Sequence, residues 1–436
     1  MSENYESAIP TEVSLKKRVL VFVPEFPKLT ETFIQREISK LIELGNLEIT
    51  VFSLKKSSGK LLEGVSDHVV YQRLGVLSFL KGWVYFLTTR PSQLWNTAKY
   101  FFSLKKGNSF SKVPFFFKSV GYTYLFSLQN PDHIHANFMS WPSTMAMIAS
   151  LLLEIPYSIS AHAKDVMVEG EYFAPKVETA KFISICNRLA YEDCINRSGK
   201  DSGKDNPSNV LLQYHGIDSV KAFESISPAK RGERLFLFNG GARLVEKKGQ
   251  KYLLEAAKIL KDKGLDFELH IAGPGPLYFD LMLQIAELGL ENNVFIHGKG
   301  NGVPFDEVVA YLKACDIVVQ SNINLNSGDA DGIPTFVIEA AMLGKPIVAT
   351  DAGSITELII NGETGWVVPQ RDPQALADAI LQVLQGQSFI QNEVLPLVAG
   401  ETPSWMKDCP LEVQKKALDM FDLDKNIKEL EQLLLK

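Results

Sequence analysis

A two-domain α/β fold built on doubly wound parallel sheets is predicted by three observations: chain length, two successive series of short β-branched runs, and the helical patterns between those runs. At roughly 150 residues per domain, 436 residues leave room for two or three domains, each with its own core. Hydrophobic residues make up 46% and charged residues 22%, which is ordinary globular usage and excludes a disordered or collagen-like chain. The formal net charge of -6 gives no global attraction for nucleic acid, so any basic surface has to be local. Cys186, Cys194, Cys315 and Cys409 lack both C-x-x-C spacing and neighbouring histidine pairs, which argues against a zinc knuckle or a disulfide framework and for a reducing compartment. The polar start, MSENYESAIPTEVSLKKR, is unlike a secretory signal, and no run of about 18 apolar residues occurs, so a cytoplasmic chain is expected.

In chain order, residues 18–24 (RVLVFVP) form a continuous apolar run, as a strand buried on both faces requires, and this implies a parallel sheet. Residues 31–44 follow with Ile34, Ile38, Leu41 and Ile42 at helical spacing, closed by Gly45, and residues 47–54 (LEITVFSL) return to strand character. That is a βαβ unit. Further strands are expected at 133–138, 157–162, 181–186 and 209–214. The second series runs 235–239, 267–272, 294–297, 316–320, 346–350 and 366–368, with helices at 250–263 and 335–343. Residues 196–208 read as a loop, and 225–233 (SISPAKRGE) as the linker, which places the boundary near residue 228. The expected domains are therefore 1–228 and 229–400, followed by a tail, 401–436. The apolar face of that tail, Ile427, Leu430, Leu433 and Leu434, is expected to pack back on the body. Sheets of this type bind ligands beyond the carboxyl ends of their strands, so the chemistry should face the cleft between the domains.

The segment 68–131 departs from the rest. It contains no Asp or Glu but carries Arg73, Lys81, Arg90, Lys99, Lys105, Lys106, Lys112 and Lys118 among many aromatics. Two arrangements fit: a face for an anionic membrane surface, or helices that pack their rings inward under solvated lysines. Single-stranded nucleic acid ranks third, because no RNA-binding signature accompanies the rings.

The chemistry-bearing motifs lie at the ends of the expected strands. After 235–239 comes GGARLVEKKG, in which Gly241 permits close backbone approach and Arg243 and Lys248 supply two cations suited to a diphosphate; a solvated basic loop is the plainer reading. In DGIPTFVIEAAMLG (331–344), Pro334 suits the first helical turn and Gly344 the C-cap. Free N–H groups from Thr335 to Val337 would offer an anion site at the start of the helix, and Glu339, a turn farther in, suits a ribose hydroxyl pair or a structural hydrogen bond. His162 closes a strand and Asp165 follows in the next turn, so both are expected to reach the cleft, although a structural histidine is equally simple. Glu31 and Thr32, in the loop after the first strand, are expected on the acceptor side, with Glu31 alternatively serving the first turn of its helix. His133 and His135 share one strand face, but no third ligand motif accompanies them and no metal site is predicted.

The combination of GGARLVEKKG, LHIAGPGPL, NSGDADGIPTFVIEAAMLGKPIVATDAG and NGETGWVVP resembles the retaining, nucleotide-sugar-dependent glycosyltransferases of family 4, which have the two-domain GT-B fold. FPKLTETFIQREI, HIHANF, SAHAKD and YHGID are similar to the subgroup that builds bacterial exopolysaccharide, including colanic acid type enzymes. The resemblance implies Arg243 and Lys248 on the donor diphosphate, Glu339 on the ribose, and His162 near the donor sugar. It places Asp331 on the first acid of an E-x7-E motif, where the family usually has Glu and the side chain is one methylene longer. Gly275, Ile333, Pro334 and Phe336 fall on donor-facing loops, with turn geometry the alternative for Gly275 and for Gly353. The implied reaction moves a sugar from a UDP- or GDP-sugar to a hydroxyl of a saccharide acceptor linked to polyprenyl diphosphate, with retention and with no metal or cofactor. A first domain resting on the inner leaflet of the membrane would meet such an acceptor. A GT-B epimerase and a noncatalytic nucleotide-sugar-binding protein are the alternatives.

Overall fold

A computed structural model describes residues 16–28, 31–57, 59–105, 111–202, 207–217, 221–385 and 409–436. The first domain runs β1 (Lys17–Phe22), β2 (Glu25–Phe26), α1 (Thr32–Leu44), β3 (Leu47–Ser53), β4 (Lys55–Lys56), β5 (Val69–Tyr71), α2 (Val76–Thr89), α3 (Pro91–Ser103), α4 (Lys112–Ser127) and β6 (His133–Asn137). It continues through α5 (Trp141–Leu153), β7 (Tyr157–Ala161), α6 (Ala163–Met167), α7 (Phe173–Thr179), β8 (Ile183–Ile185), α8 (Arg188–Ser202) and β9 (Val210–Leu212). After the short α9 (Lys221–Glu224), the second domain comprises β10 (Leu235–Asn239), α10 (Gln250–Asp262), β11 (Phe267–Ala272), α11 (Tyr278–Glu287), β12 (Val294–His297), α12 (Phe305–Ala314), β13 (Ile317–Gln320), α13 (Thr335–Met342), β14 (Ile347–Thr350), β15 (Trp366–Val368) and α14 (Pro373–Gln385). Helices α15 (Cys409–Phe421) and α16 (Leu423–Leu435) close the chain.

The two main sheets are parallel throughout, ordered β5-β3-β1-β6-β7-β8-β9 and β12-β11-β10-β13-β14-β15. The alternation within β1 explains its unbroken apolar run. Leu20 and Phe22 join the core under α4 and α5, while Val19 and Val21 join the core under α1 and α16. The second sheet is covered on both faces in the same way.

Three elements refine the sequence reading. The loop expected at 196–208 is helical as far as Ser202, because α8 continues with Cys194 and Ser198 buried against the domain, and this packing outweighs the local weakness of Gly199. The basic segment folds as β5 and the helices α2 to α4, with Lys106 outside the described residues. Phe86, Phe101, Phe116 and Phe126 are fully buried, as inward packing requires, yet α2 leaves Val76, Leu80 and Val84 exposed at 78%, 54% and 60%. The tail helix α16 crosses to the first domain, where Ile427, Leu430 and Leu434 pack with Ile34, Ile38 and Leu41. There Lys17 donates to the carbonyl of Leu434 at 2.6 Å. The junction expected at 400/401 lies outside the described residues.

Candidate functional site

The carboxyl ends of both sheets open on a cavity of about 380 Å³, within the usual range for small-molecule sites. Lys28, Glu31, Phe33, Arg36 and His162 line it from the first domain, and Arg243, Lys247, Asp331, Ile333 and Thr335 from the second. Polar bonds hold the walls together: Ser354 Oγ donates to Asn187 Oδ1 at 3.0 Å, and Glu357 accepts from the Arg188 N–H at 2.8 Å and from the Tyr214 hydroxyl at 2.6 Å.

On the second-domain wall, the loop after β10 lies close against α13. Gly241 has φ +62°, and a Cβ there would sit 2.7 Å from Phe336 Cβ, so glycine is needed for both conformation and space. Gly275 is a packing glycine in the same sense, since a Cβ would fall 2.4 Å from the Leu244 carbonyl oxygen. A single helical turn, Glu246–Lys248, then carries two lysines to one carboxylate. Lys248 Nζ is 2.8 Å from Asp331 Oδ2, Lys247 Nζ is 3.2 Å from Asp331 Oδ1, and Asn322 Nδ2 donates to Asp331 at 2.7 Å. Burial acts to raise the Asp331 carboxyl, but the charges of Lys248 and Lys247 hold it below its ordinary value.

Two expectations change here. Lys248 is not a free cation beside Arg243: it is buried and ion-paired, whereas Arg243 has no carboxylate partner among the described residues. Asp331 is held by the two lysines and Asn322, which leaves its shorter side chain as an internal counter-charge. Lys247 was missed, because neighbouring lysines are indistinguishable until the turn places them.

Helix α13 begins at Thr335, one residue after Pro334, which occupies the N-cap position and not the first turn. The N–H groups of Val337 and Ile338 donate to the Pro334 carbonyl, so the expected anion-facing set narrows to Thr335 and Phe336. The side chains of Phe336 and Val337 belong to the core, while Ile333 and Thr335 face the cavity. Glu339 is buried one turn farther in, at 5% exposure.

On the first-domain wall, His162 lines the cavity and Asp165 does not. Asp165 is buried and works as a cap: its carboxylate accepts from the N–H of His162 at 2.8 Å and from that of Met139 at 2.5 Å. This corrects the expectation that it reaches the cleft on the acceptor side, because the cap turns it inward. Glu31 faces the cavity, paired with Lys28 at 2.7 Å, whereas Thr32 is exposed in the first turn of α1 and lies off the cavity wall. His133 and His135 are buried on one strand face and bonded to Ser158 at 2.7 Å each, with His135 also 3.0 Å from Ser160. Burial pushes them down to about 2 and about 4, so they are neutral structural residues. Among the described residues, no group of three or more His, Cys, Asp and Glu is placed to hold a metal ion. Sequence reasoning also left Glu37 and His215 without roles, although both stand in quoted motifs; they meet at 2.6 Å beside the cavity.

Two parallel-sheet domains facing such a cleft define the GT-B class. A glycosyltransferase from Rickettsia africae superposes over 97% of this chain and 99% of its own, with TM-score 0.64 at 16% identity. Anabaena HepE, in complex with UDP and glucose, does so over 96% and 99%, with TM-score 0.62 at 17% identity. Residues 220–394 match the family model described as "Glycosyl transferases group 1". Among curated proteins it is similar to the amylovoran biosynthesis glycosyltransferase AmsK of Erwinia amylovora, 38% identical over 36% of this chain and 37% of that protein. It is also similar to WcaL of Escherichia coli, named for colanic acid biosynthesis, 35% identical over 43% and 45%. The matched regions thus span less than half the length of these relatives.

Proposed function

We propose that the protein is a glycosyltransferase of exopolysaccharide or cell-surface polysaccharide synthesis, moving a sugar from a UDP- or GDP-sugar to a saccharide hydroxyl with retention. The observation that carries this reading is the convergence, on one interdomain cavity, of Arg243 without a carboxylate partner among the described residues, the ion-paired Lys247 and the start of α13. As the glycosidic bond breaks, negative charge grows on the β-phosphate. Arg243 and the free N–H groups of Thr335 and Phe336 supply fixed positive potential there, in place of a divalent cation, while Lys247 is balanced by Asp329 and Asp331. Lys248 and Asp331 hold that wall in shape, Glu339 takes the ribose, and Gly241, Gly275, Ile333 and Pro334 bring the backbone close to the donor. Glu31 forms the acceptor side, His162 stands near the donor sugar, and closure of the domains excludes water from the departing sugar.

The names of AmsK and WcaL favour a saccharide acceptor of the exopolysaccharide type, which we take to be linked to polyprenyl diphosphate. We place the chain at the cytoplasmic face of the inner membrane, held peripherally. No helix among the described residues is long and apolar enough to cross a membrane. The exposed Val76, Leu77, Leu80, Val84 and Leu87 of α2, with exposed Lys81 on the same helix and exposed Lys99 and Lys118 on α3 and α4, instead suit the headgroup region of an anionic leaflet.

The test is transfer measured with a panel of UDP- and GDP-sugars and a lipid-linked oligosaccharide. Arg243→Ala is expected to lower kcat by about 10²- to 10³-fold, the usual effect of removing one group that stabilises a developing oxyanion. Turnover should survive chelation of divalent ions. A variant as fast as the parent, or turnover abolished by chelator, rejects this mechanism.

A further inference from the structure

We propose that Glu37 and His215 form an ion pair that seats His162, and that these two positioning residues set the first-domain wall of the cleft. The inference rests on the transferase reading above and deepens it. His215 Nδ1 lies 2.6 Å from Glu37 Oε1, with both side chains largely buried at 20% and 12% exposure. The His162 ring stacks on His215 at 4.9 Å between centroids and 18° between planes, and Phe33 packs on both imidazoles, at 4.8 Å from His162 and 4.3 Å from His215. His162 therefore rests on an aromatic floor whose position depends on the carboxylate below it.

Two further facts argue against mere packing. His162 Nε2 is buried without a hydrogen-bond partner among the described residues, while His162 Nδ1 lies 3.4 Å from Asp165 Oδ1 and His215 Nε2 makes no geometrically regular hydrogen bond, although both residues line the cavity. Buried polar atoms are rarely left unpaired, and sugar hydroxyls are natural partners for ring nitrogens on a cavity wall. In addition, a buried ion pair contributes little stability over an apolar pair of similar size, so stability alone does not account for one here.

The location of the pair couples it to the interdomain geometry. Tyr214, next in the chain, binds Glu357 of the second domain, and the Ile217 N–H donates to the Phe421 carbonyl at 2.9 Å. A Cβ on Gly216 would lie 2.4 Å from Leu423 Cα, so the segment is pressed against the start of α16. The charged and titratable groups around His215 are Glu37 on α1, with Arg36 on the same cavity wall, His162 after β7 with Asp165 behind it, Cys186 after β8, and His135 on β6 acting on Glu37. Burial acts to discharge His215, but the Glu37 carboxylate, with the Cys186 thiol beside the ring, holds it well above the ordinary imidazole value.

The sign follows. His215 is protonated in the working state, and loss of the Glu37 charge lets it lose its proton at lower pH. Glu37→Gln, which preserves shape, should therefore lower kcat about tenfold at pH 8, leave donor KM within about twofold, and regain rate progressively as the pH is lowered. His215→Phe keeps a ring under His162 but no charge, and should be slow at every pH. Histidine NMR titration, which needs no turnover, should show His215 titrating lower in Glu37→Gln, and circular dichroism checks that both variants fold. Parental rates across the pH range in Glu37→Gln, or a loss that low pH does not restore, overturns the inference while leaving the transferase reading intact. Absence of transfer by the parent chain with every donor overturns both.

Discussion

Asp331 shows how much one side chain's role depends on what reaches it. Its carboxylate is enclosed by Lys247, Lys248 and Asn322, so Asp331→Asn leaves two lysines without their shared counter-charge. The urea midpoint is expected to drop by an amount equivalent to about 2 kcal/mol, with an unchanged slope against denaturant. The buried histidines make a second residue-scale prediction. His133 and His135 stay neutral in the fold, at about 2 and about 4, while unfolded imidazoles protonate near about 6.5. Below that pH the unfolded chain binds more protons, so their contribution to stability is lost as pH falls from about 6.5 towards 4 and beyond. His133→Asn combined with His135→Asn should flatten this decline in urea unfolding measured between pH 7 and 4; an unchanged decline would show that other groups carry it.

At the scale of elements, α2 and α16 separate local pattern from tertiary use. In α16 the apolar stripe is used internally, and Leu434→Ala should destabilise the chain by about 2–5 kcal/mol, because the side chain is fully buried against α1 and its neighbours. In α2 the stripe faces outward. Leu80→Glu with Val84→Glu should abolish flotation with vesicles containing anionic phospholipid while leaving transfer to a water-soluble acceptor unchanged; equal flotation by variant and parent would remove α2 as the membrane face. The strands themselves were legible because a doubly covered parallel sheet writes continuous apolar runs, as in residues 235–239, whose bounds match β10. The extent of α8 was not legible, since its Gly199 and charged residues look loop-like until Ser198 is seen to be buried.

For the whole molecule, the decisive feature is that separate loops from two sheets form one cavity. A ligand bound there engages the folded state only, so a matching nucleoside diphosphate should raise the melting temperature, and a panel of nucleotides would identify the base. Tyr214→Phe removes the 2.6 Å bond to Glu357 across the domains and should weaken that nucleotide-induced shift through a less closed cleft; an identical shift would show that this bond has no part in closure. Arg243, His162 and Glu31 could be picked from sequence because they directly follow strands or begin a helix. Glu37, Lys247 and His215 could not, because their importance arises from partners that are distant or indistinguishable in the chain.

By itself the sequence determined the two parallel sheets, the helices between them and the end of each sheet at which the cavity opens, since those follow from periodicity and from where apolar runs stop. Only the tertiary structure decided which charges remain available. Ion pairing and capping are short-range and depend on partners far apart in the chain, so Lys248 is neutralised by Asp331, Asp165 is turned inward by two N–H groups, and Arg243 is left facing the cleft.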